Sequence, residues 1–297
     1  MFPMLNPYLS MPAQDIVRQY LRIRRMQLCL LYGSFALVIL GPALIAVAAG
    51  AMNIVSALML AGFAALFLFL IARFKRKLFP QNLTLIREVL TDACDPARYR
   101  DVIQDVCRRD RGYADVFSAP LELADAEAAL GDEAAAAARL YALRFEDKRD
   151  AASEVRRLEL LAWCCAQTGD AAGFAGARDA MDALAANGPF AVRAEAHAAA
   201  GRIALYGAAR GMCAAPEDGP NAPHPNGLRP LYALRVRYCL AEVLASRGRT
   251  QEALRCLQPV IDRGRGLALT ARAGSLAARL EQDAQPREKR APEQNTH

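Results

Sequence analysis

The longest apolar stretch lies near the start of the chain, where the 47 residues 26–72 carry no charged side chain. A membrane-spanning helix needs about 20 apolar residues, so a run of this length predicts two spans. We place the spans at 27–49 and 54–72, joined by a short turn within the sequence AVAAGAMN. Cleavage of a signal peptide within AVAAGAMN is the competing interpretation, but its apolar core would be unusually long and a second apolar stretch follows directly. The pattern favours a transmembrane helical hairpin within 26–77.

The apolar positions of the remaining chain recur at helical spacing from Asn82 to Glu281. No stretch alternates apolar and polar residues between hairpin turns, so strands are not predicted. We therefore predict an all-α protein, with connecting helices at 78–112 and a larger helical domain at 113–282.

Four glycines stand in short turns between helical runs of this larger domain. Their spacings are 38, 38 and 41 residues, and an alanine stands seven residues before each of them. A small residue at that place lets two helices that meet at a tight turn pack closely. The turn glycines are Gly131, Gly169, Gly207 and Gly248, and the alanines are Ala124, Ala162, Ala200 and Ala241.

The clearest of these units is LAEVLASRGRTQEALRCLQPVI, in which Gly248, Ala253 and Leu257 resemble the pattern of the tetratricopeptide-repeat (TPR) family. A second match is LAWCCAQTGD, although the spacing exceeds the family's period of about 34 residues. The resemblance implies a TPR-like αα-hairpin solenoid over 113–282. A loop at 215–230 is expected to interrupt it, since that segment holds five prolines and two glycines. The polar tail 283–297 is predicted to be disordered.

Basic residues flank the apolar run on both outer sides, and its central turn has none. Lys and Arg next to spans mark the cytoplasmic side, so the N-terminal segment 1–25 and the helical domain are both expected in the cytoplasm. Arg outnumbers Lys 33 to 4, which is typical of a GC-rich bacterial genome, so the predicted location is the bacterial cytoplasmic membrane. The flanking bases are Arg18, Arg22, Arg24, Arg25, Arg73, Lys75, Arg76 and Lys77.

The net charge of +6 does not indicate nucleic acid as a partner. The excess of bases is confined to the two flanks of the apolar run, and residues 81–297 hold slightly more acids than bases. A helical domain without a basic bias has no electrostatic attraction for a phosphate backbone. The lipid bilayer is the partner that the flanking charges predict.

Candidate chemistry is sparse in this sequence. The eight cysteines form no C-x-x-C pair and no spacing with the three histidines that would suit a metal. No nucleophile elbow, phosphate-binding loop or dinucleotide fingerprint occurs. The adjacent Cys164 and Cys165 come nearest to a nucleophile, but no base accompanies them, and buried reduced thiols are the simpler interpretation. We predict no enzyme activity, no cofactor and no metal site.

The resemblance also implies a concave face built by the first helix of each hairpin, whose exposed positions lie thirteen, ten and six residues before the turn glycine. Aromatic and arginine side chains dominate such interfaces, which favours Trp163, although core packing of this single tryptophan is an equal alternative. The partner-binding residues predicted in this way are Arg156, Glu159, Trp163, His197, Arg235, Tyr238 and Glu242.

These features predict a membrane-anchored helical-repeat scaffold or adaptor that presents a cytosolic surface to a protein or peptide. The alternative is a membrane-tethered enzyme or regulatory subunit without a recognisable catalytic motif. The sequence leaves the oligomeric state open.

Overall fold

The computed structural model describes residues 6–37, 41, 59, 61–69, 84–109, 118–143, 151–214 and 224–284. Every regular element among these residues is a helix, and no strand occurs within them. This confirms the all-α prediction. The chain divides into two compact units, Met1–Glu88 and Val89–His297.

The first unit contains a short 3-10 helix, Pro7–Leu9, followed by helix α1, Ala13–Phe35. Helix α1 buries one face, formed by Ile16, Val17 and Tyr20. Residues 61–69 and 84–88 of this unit are also helical.

The predicted membrane spans are described only in part, at 27–37 and 41 in the first span and at 59 and 61–69 in the second. The turn at 50–53 and the bases Arg73, Lys75, Arg76 and Lys77 lie entirely outside the described residues. Within the part of the chain that the structure describes, no helix has both the length and the apolar character needed to cross a membrane.

The second unit is a succession of helices. The helices have these bounds: α2, Pro96–Arg109; α3, Ser118–Leu130; α4, Glu133–Ala142; α5, Ala151–Thr168; α6, Ala171–Asn187; α7, Phe190–Ala209; α8, Pro230–Ser246; α9, Thr250–Arg263; and α10, Ala268–Ala284.

Three of the four predicted turns are confirmed, at Gly131, Gly169 and Gly248, which join α3 to α4, α5 to α6 and α8 to α9. Each glycine has a positive φ, of 93°, 81° and 74° respectively, which a residue with a side chain adopts only under strain. The residue after each glycine donates its N–H to a carbonyl five residues back. This bond satisfies a carbonyl in the last turn of the first helix that has no intrahelical partner. The alanine seven residues before each of these glycines is fully buried.

The turn predicted at Gly207 is wrong. Gly207 is buried within α7, and the chain turns four residues later at Gly211, whose φ is +70°. The N–H of Met212 donates to the carbonyl of Gly207, so the same closing bond forms one helical turn further on. Gly207 is needed for packing, because a Cβ there would lie 2.4 Å from the ring of Phe174 and 2.7 Å from the sulfur of Cys213.

The predicted loop 215–230 extends one residue too far at its C-terminal end. Pro230 is the first residue of α8 and not part of a loop, because proline fits the first helical position, where its missing N–H has no intrahelical partner to lose. Residues 215–223 lie outside the described residues, as does the predicted tail beyond 284.

Neighbouring helices of the second unit pack on each other, and α3–α5, α5–α7 and α8–α10 also pack as next-but-one neighbours. We call α3 to α10 the hairpin array. Its last helix returns to its first, because α10 contacts α3 and the Cβ of Ala268 lies against Gly131. An ion pair of 2.7 Å between Arg272 of α10 and Glu133 of α4 joins the same ends. The array therefore closes on itself.

Candidate functional site: the inner charged cluster and the outer groove

Six of the seven predicted partner-binding residues point into the closed array, so the exposure predicted for them is wrong. Residue exposure is 2% for Trp163 and 4% for Arg235, and the side chains of Arg156 and Glu242 are only 14% and 13% exposed. The reason is the closure by α8 and α10, which covers a face that an open array would present to solvent. The covered residues are Arg156, Glu159, Trp163, Arg235, Tyr238 and Glu242, whereas His197 is exposed.

Two acids on α3 form the centre of this covered face. Glu122 and Asp125 are each 1% exposed and stand one helical turn apart. Arg156 of α5 contacts both, with its Nη1 2.7 Å from Glu122 Oε1 and its Nη2 2.7 Å from Asp125 Oδ2. Arg235 of α8 reaches the other oxygen of Asp125 at 3.3 Å. One carboxylate thus joins three helices.

A second buried pair joins α5 to α7. Arg202 donates from Nε and Nη2 to the two oxygens of Glu159, at 2.6 and 2.7 Å, in a bidentate arrangement. The hydroxyl of Tyr206 also donates to Glu159, at 3.2 Å. A planar pair with two parallel hydrogen bonds fixes both the relative orientation of the two helices and the distance between them.

Trp163 lies between these pairs. Its ring meets Tyr206 edge-on with centroids 5.2 Å apart, and the guanidinium of Arg235 lies 5.3 Å from its ring centroid, a cation–π contact. Among the described residues its indole Nε1 has no hydrogen-bond partner. It borders a cavity of about 10 Å³ that Glu133 and Arg272 also line, which is room for one water molecule.

The electrostatics favour the charged form of Arg156 and the protonated form of Tyr206. Burial opposes the charge on Arg156, but Glu122 and Asp125 outweigh it and raise the pKa of this guanidinium. Burial and the neighbouring Glu159 raise the pKa of Tyr206, which keeps its hydroxyl protonated. We call Glu122, Asp125, Arg156, Glu159, Trp163, Arg202, Tyr206 and Arg235 the inner cluster. Fixed charges and protonated hydroxyls suit a structural role.

The ends of α5, α7 and α10 meet at a further polar contact. The side-chain oxygen of Gln167 accepts from Arg210 at 2.6 Å and from Arg272 at 3.0 Å. Arg210 also pairs with Glu242 at 3.0 Å, and Tyr238 donates to the same carboxylate at 2.9 Å. Burial raises the pKa of Glu242, and burial together with Glu242 raises the pKa of Tyr238 to about 12.

The buried thiols are not activated. Burial raises the pKa of Cys94 to about 11 and also raises the pKa of Cys164 and of Cys239. A raised thiol pKa lowers the thiolate fraction, which is the nucleophilic form. No group of His, Cys, Asp and Glu among the described residues could hold a metal ion.

Sequence reasoning missed four members of the inner cluster, of which one carried a signal. Asp125 lies six residues before Gly131, the same position that selected Trp163 and Glu242, so applying that rule to the first hairpin would have found it. Arg202 lies nine residues before the true turn glycine, Gly211, a position that the spacing of thirteen, ten and six residues does not select. The missed residues are Glu122, Asp125, Arg202 and Tyr206.

The open surface of the array has a groove on its outer side, between α4, α5 and α6. It holds about 540 Å³, and its floor on α6 consists of small residues. Tyr141 at its edge is 49% exposed, and its hydroxyl donates to Asp170 at 3.0 Å. We call this the outer groove; its lining includes Tyr141, Leu143, Glu154, Arg157, Ala172, Gly173, Gly176 and Ala180.

Comparisons of the chain with protein-family models, with curated protein sequences and with solved structures gave no match. Two features of the second unit bear on function: the inner cluster, which is buried, and the outer groove, which is open.

Proposed function

We propose that this chain is a membrane-anchored helical scaffold whose second unit binds a protein partner in the outer groove. The groove is the observation that carries the proposal, because it offers an open concave surface where the predicted face is covered. The inner cluster then serves to hold the array rigid rather than to contact the partner.

The proposed anchor is the helical hairpin with spans at 27–49 and 54–72 and both termini in the cytoplasm. It is supported by the distribution of exposed large apolar side chains. Nine of the twelve such side chains among the described residues fall within 26–69, including Leu30 at 65% and Phe63 at 63% exposure. Apolar surface of this density in water marks an interaction site or a membrane contact.

The second unit is proposed to be a TPR-like array. Its support is the recurrence of one local design, in which a buried alanine, a glycine of positive φ and a closing N–H bond recur at Gly131, Gly169 and Gly248. Stacked helical hairpins of this kind commonly present extended binding surfaces.

The lining of the outer groove favours a peptide or helix with small and apolar side chains. Gly173, Gly176 and Ala180 recur on one face of α6, and residues without bulk let another backbone approach closely. Leu158 and Leu161 provide apolar contacts at the base. The groove therefore fits an apolar segment of a protein better than a small charged metabolite.

The proposal is tested by a substitution that fills the outer groove with a larger side chain. A Cβ on Gly176 meets nothing within 4 Å, so Gly176→Leu adds bulk to the groove without a clash in the array. We expect a partner that co-purifies with the full chain in mild detergent to be lost by about tenfold or more, with the melting temperature unchanged or higher.

Gly274→Leu is the matched control, since Gly274 on α10 also has open space around its Cβ and lies outside the groove. It is expected to retain the partner. Equal recovery with both variants, or equal loss from both, would contradict the groove assignment.

The anchor has its own test. The full chain should stay in the membrane fraction after alkaline extraction, and a reporter fused after Lys77 should be active only in its cytoplasmic form. Release by alkali, or an exported reporter, would contradict the topology while leaving the groove assignment open.

A further inference from the structure

Helix α1 carries a row of exposed arginines. Arg18, Arg22 and Arg25 follow one another at intervals of four and three residues, so they share one face of the helix. That face lies opposite the one that buries Ile16 and Tyr20. We call Arg18, Arg22 and Arg25 the arginine stripe.

Two of the three charges have no ion-pair partner among the residues that the structure describes. Arg18 contacts Asp15 at 3.3 Å, a pair in which both side chains are more than half exposed and which therefore contributes little. Among the described residues, Arg22 and Arg25 form no ion pair. Arg24 is different, because it turns toward the other side and its Nη1 contacts the hydroxyl of Tyr20 at 3.4 Å.

The arginine stripe borders a surface recess and an apolar stretch. The recess, of about 430 Å³, lies beside Arg18 and Arg22. Directly after Arg25, the charge-free run begins at Met26, which is 56% exposed, and Leu30 and Leu37 are 65% and 77% exposed. The recess is lined by Asp15, Arg18, Gln19, Arg22 and Ile23.

The spacing matches the headgroup layer of a bilayer. At 1.5 Å per residue, Arg18 and Arg25 are about 10 Å apart along the helix, and a headgroup layer is roughly 5–7 Å thick on each side. With the apolar residues after Arg25 in the hydrocarbon, Arg25 and Arg22 lie in this layer and Arg18 at its aqueous edge. Guanidinium groups bind phosphate oxygens with two parallel hydrogen bonds, which suits them to lipid phosphates.

We propose that the arginine stripe binds the phosphates of anionic lipid headgroups, so that α1 selects anionic lipid around the anchor. This inference rests on the proposed membrane anchor and adds to it a lipid preference. Clusters of basic residues beside a membrane span attract anionic headgroups at close range.

The experiment counts lipids bound to the full chain. Protein purified in neutral detergent is titrated with phosphatidylglycerol or with phosphatidylcholine, and bound lipid is measured by native mass spectrometry. We expect a preference for phosphatidylglycerol that falls on the order of a hundredfold in Arg18→Gln/Arg22→Gln/Arg25→Gln at low salt. Arg18→Lys/Arg22→Lys/Arg25→Lys, which keeps the charge, should retain most of it.

The control removes three exposed arginines from the second unit, in Arg247→Gln/Arg255→Gln/Arg263→Gln, and should leave the preference intact. Equal loss in this control would mean a bulk charge effect and would overturn the inference. Competition by millimolar inorganic phosphate at constant ionic strength would assign the stripe to a free anion instead.

Two further outcomes separate this inference from the anchor. If the full chain enters neutral and anionic nanodiscs equally and shows no lipid preference, the stripe inference fails and the anchor stands. If it enters neither, both fail. Retention of an acidic protein that the Gln variant loses, without any lipid preference, would likewise overturn the lipid assignment.

Discussion

Asp125 is the residue that joins α3 to both α5 and α8 in the inner cluster. Its two oxygens accept from Arg156 of α5 and Arg235 of α8. A buried ion pair contributes little net stability when complete, since desolvation offsets the attraction. Removing one partner is costly, because the remaining charge stays buried.

Asp125→Ala is therefore expected to lower the free energy of unfolding by about 3–5 kcal/mol. Urea unfolding of the full chain in mild detergent measures it, followed by the emission of Trp163, the single tryptophan, which lies inside the cluster. Glu252→Gln is the control, because it breaks the exposed Arg249–Glu252 pair and should have no measurable effect. A loss below about 1 kcal/mol for Asp125→Ala would contradict the role of this carboxylate.

Substitution by alanine is expected to change the free energy of unfolding in opposite directions at Gly207 and Gly176. Gly207→Ala places a Cβ against the buried ring of Phe174 and should destabilise by about 1–2 kcal/mol through overpacking. Gly176→Ala meets open space and should stabilise by about 0.5–1 kcal/mol, because alanine favours the helix. Thermal melts of the two variants, compared with the parent chain, check both signs. Stabilisation by Gly207→Ala would mean that α7 and α6 pack less closely.

At the scale of the elements, the helix starts differ in how they are capped. Asp132 and Asp170 cap α4 and α6, accepting from the backbone N–H of Ala135 at 3.2 Å and of Gly173 at 2.9 Å. The corresponding residue before α9 is Arg249, whose side chain makes no such bond. Its φ and ψ of −85° and 59° are close to the −94° and 61° of Asp132, so the backbone is already in the capping conformation.

Arg249→Asn should therefore raise the free energy of unfolding by about 0.5–1 kcal/mol, since asparagine is a strong N-cap residue. Asp132→Ala should lower it by about 1 kcal/mol through the loss of an existing cap. Denaturant unfolding of the two variants gives both values. No gain from Arg249→Asn would contradict the capping role expected at this position.

The element pattern explains which turns could be predicted from the sequence. Gly131, Gly169 and Gly248 each follow a run with a buried alanine, and local chemistry alone fixes their positive φ. Near the end of α7 the sequence has two glycines that could form the turn, Gly207 and Gly211. The packing of Gly207 against Phe174 keeps Gly207 in the helix, and the turn forms at Gly211. A local rule cannot contain that information.

At the scale of the whole molecule, the closure of the array between α3 and α10 determines that the predicted binding face is buried. The positions of Arg156, Trp163 and Arg235 could be read from the turn spacing, but their exposure could not. Asp125 and Arg235 are 110 residues apart in sequence, and their contact exists only in the closed array. The inner cluster is thus a tertiary feature, because the closed array buries a face that the turn spacing alone would leave exposed.

Arg272 holds the closure by contacting Glu133 and Gln167. Arg272→Ala should raise amide hydrogen exchange about tenfold both in α10 and around the turn at Gly131, since both ends lose the same contact. Mass-spectrometric exchange on the full chain resolves these segments. Arg279→Ala on the same helix, whose side chain is exposed, should leave exchange unchanged, and faster exchange confined to α10 would argue against a joint closure.

The closed array also limits how this chain could change in length. An open stack of hairpins can gain or lose a unit at an end, because each unit contacts only its neighbours. Here the last helix contacts the first hairpin, with Ala268 against Gly131 and Arg272 on Glu133. A duplicated or deleted hairpin would separate those pairs and leave Asp125 and Arg235 out of reach of each other. The number of hairpins is therefore fixed by the contacts that close the array.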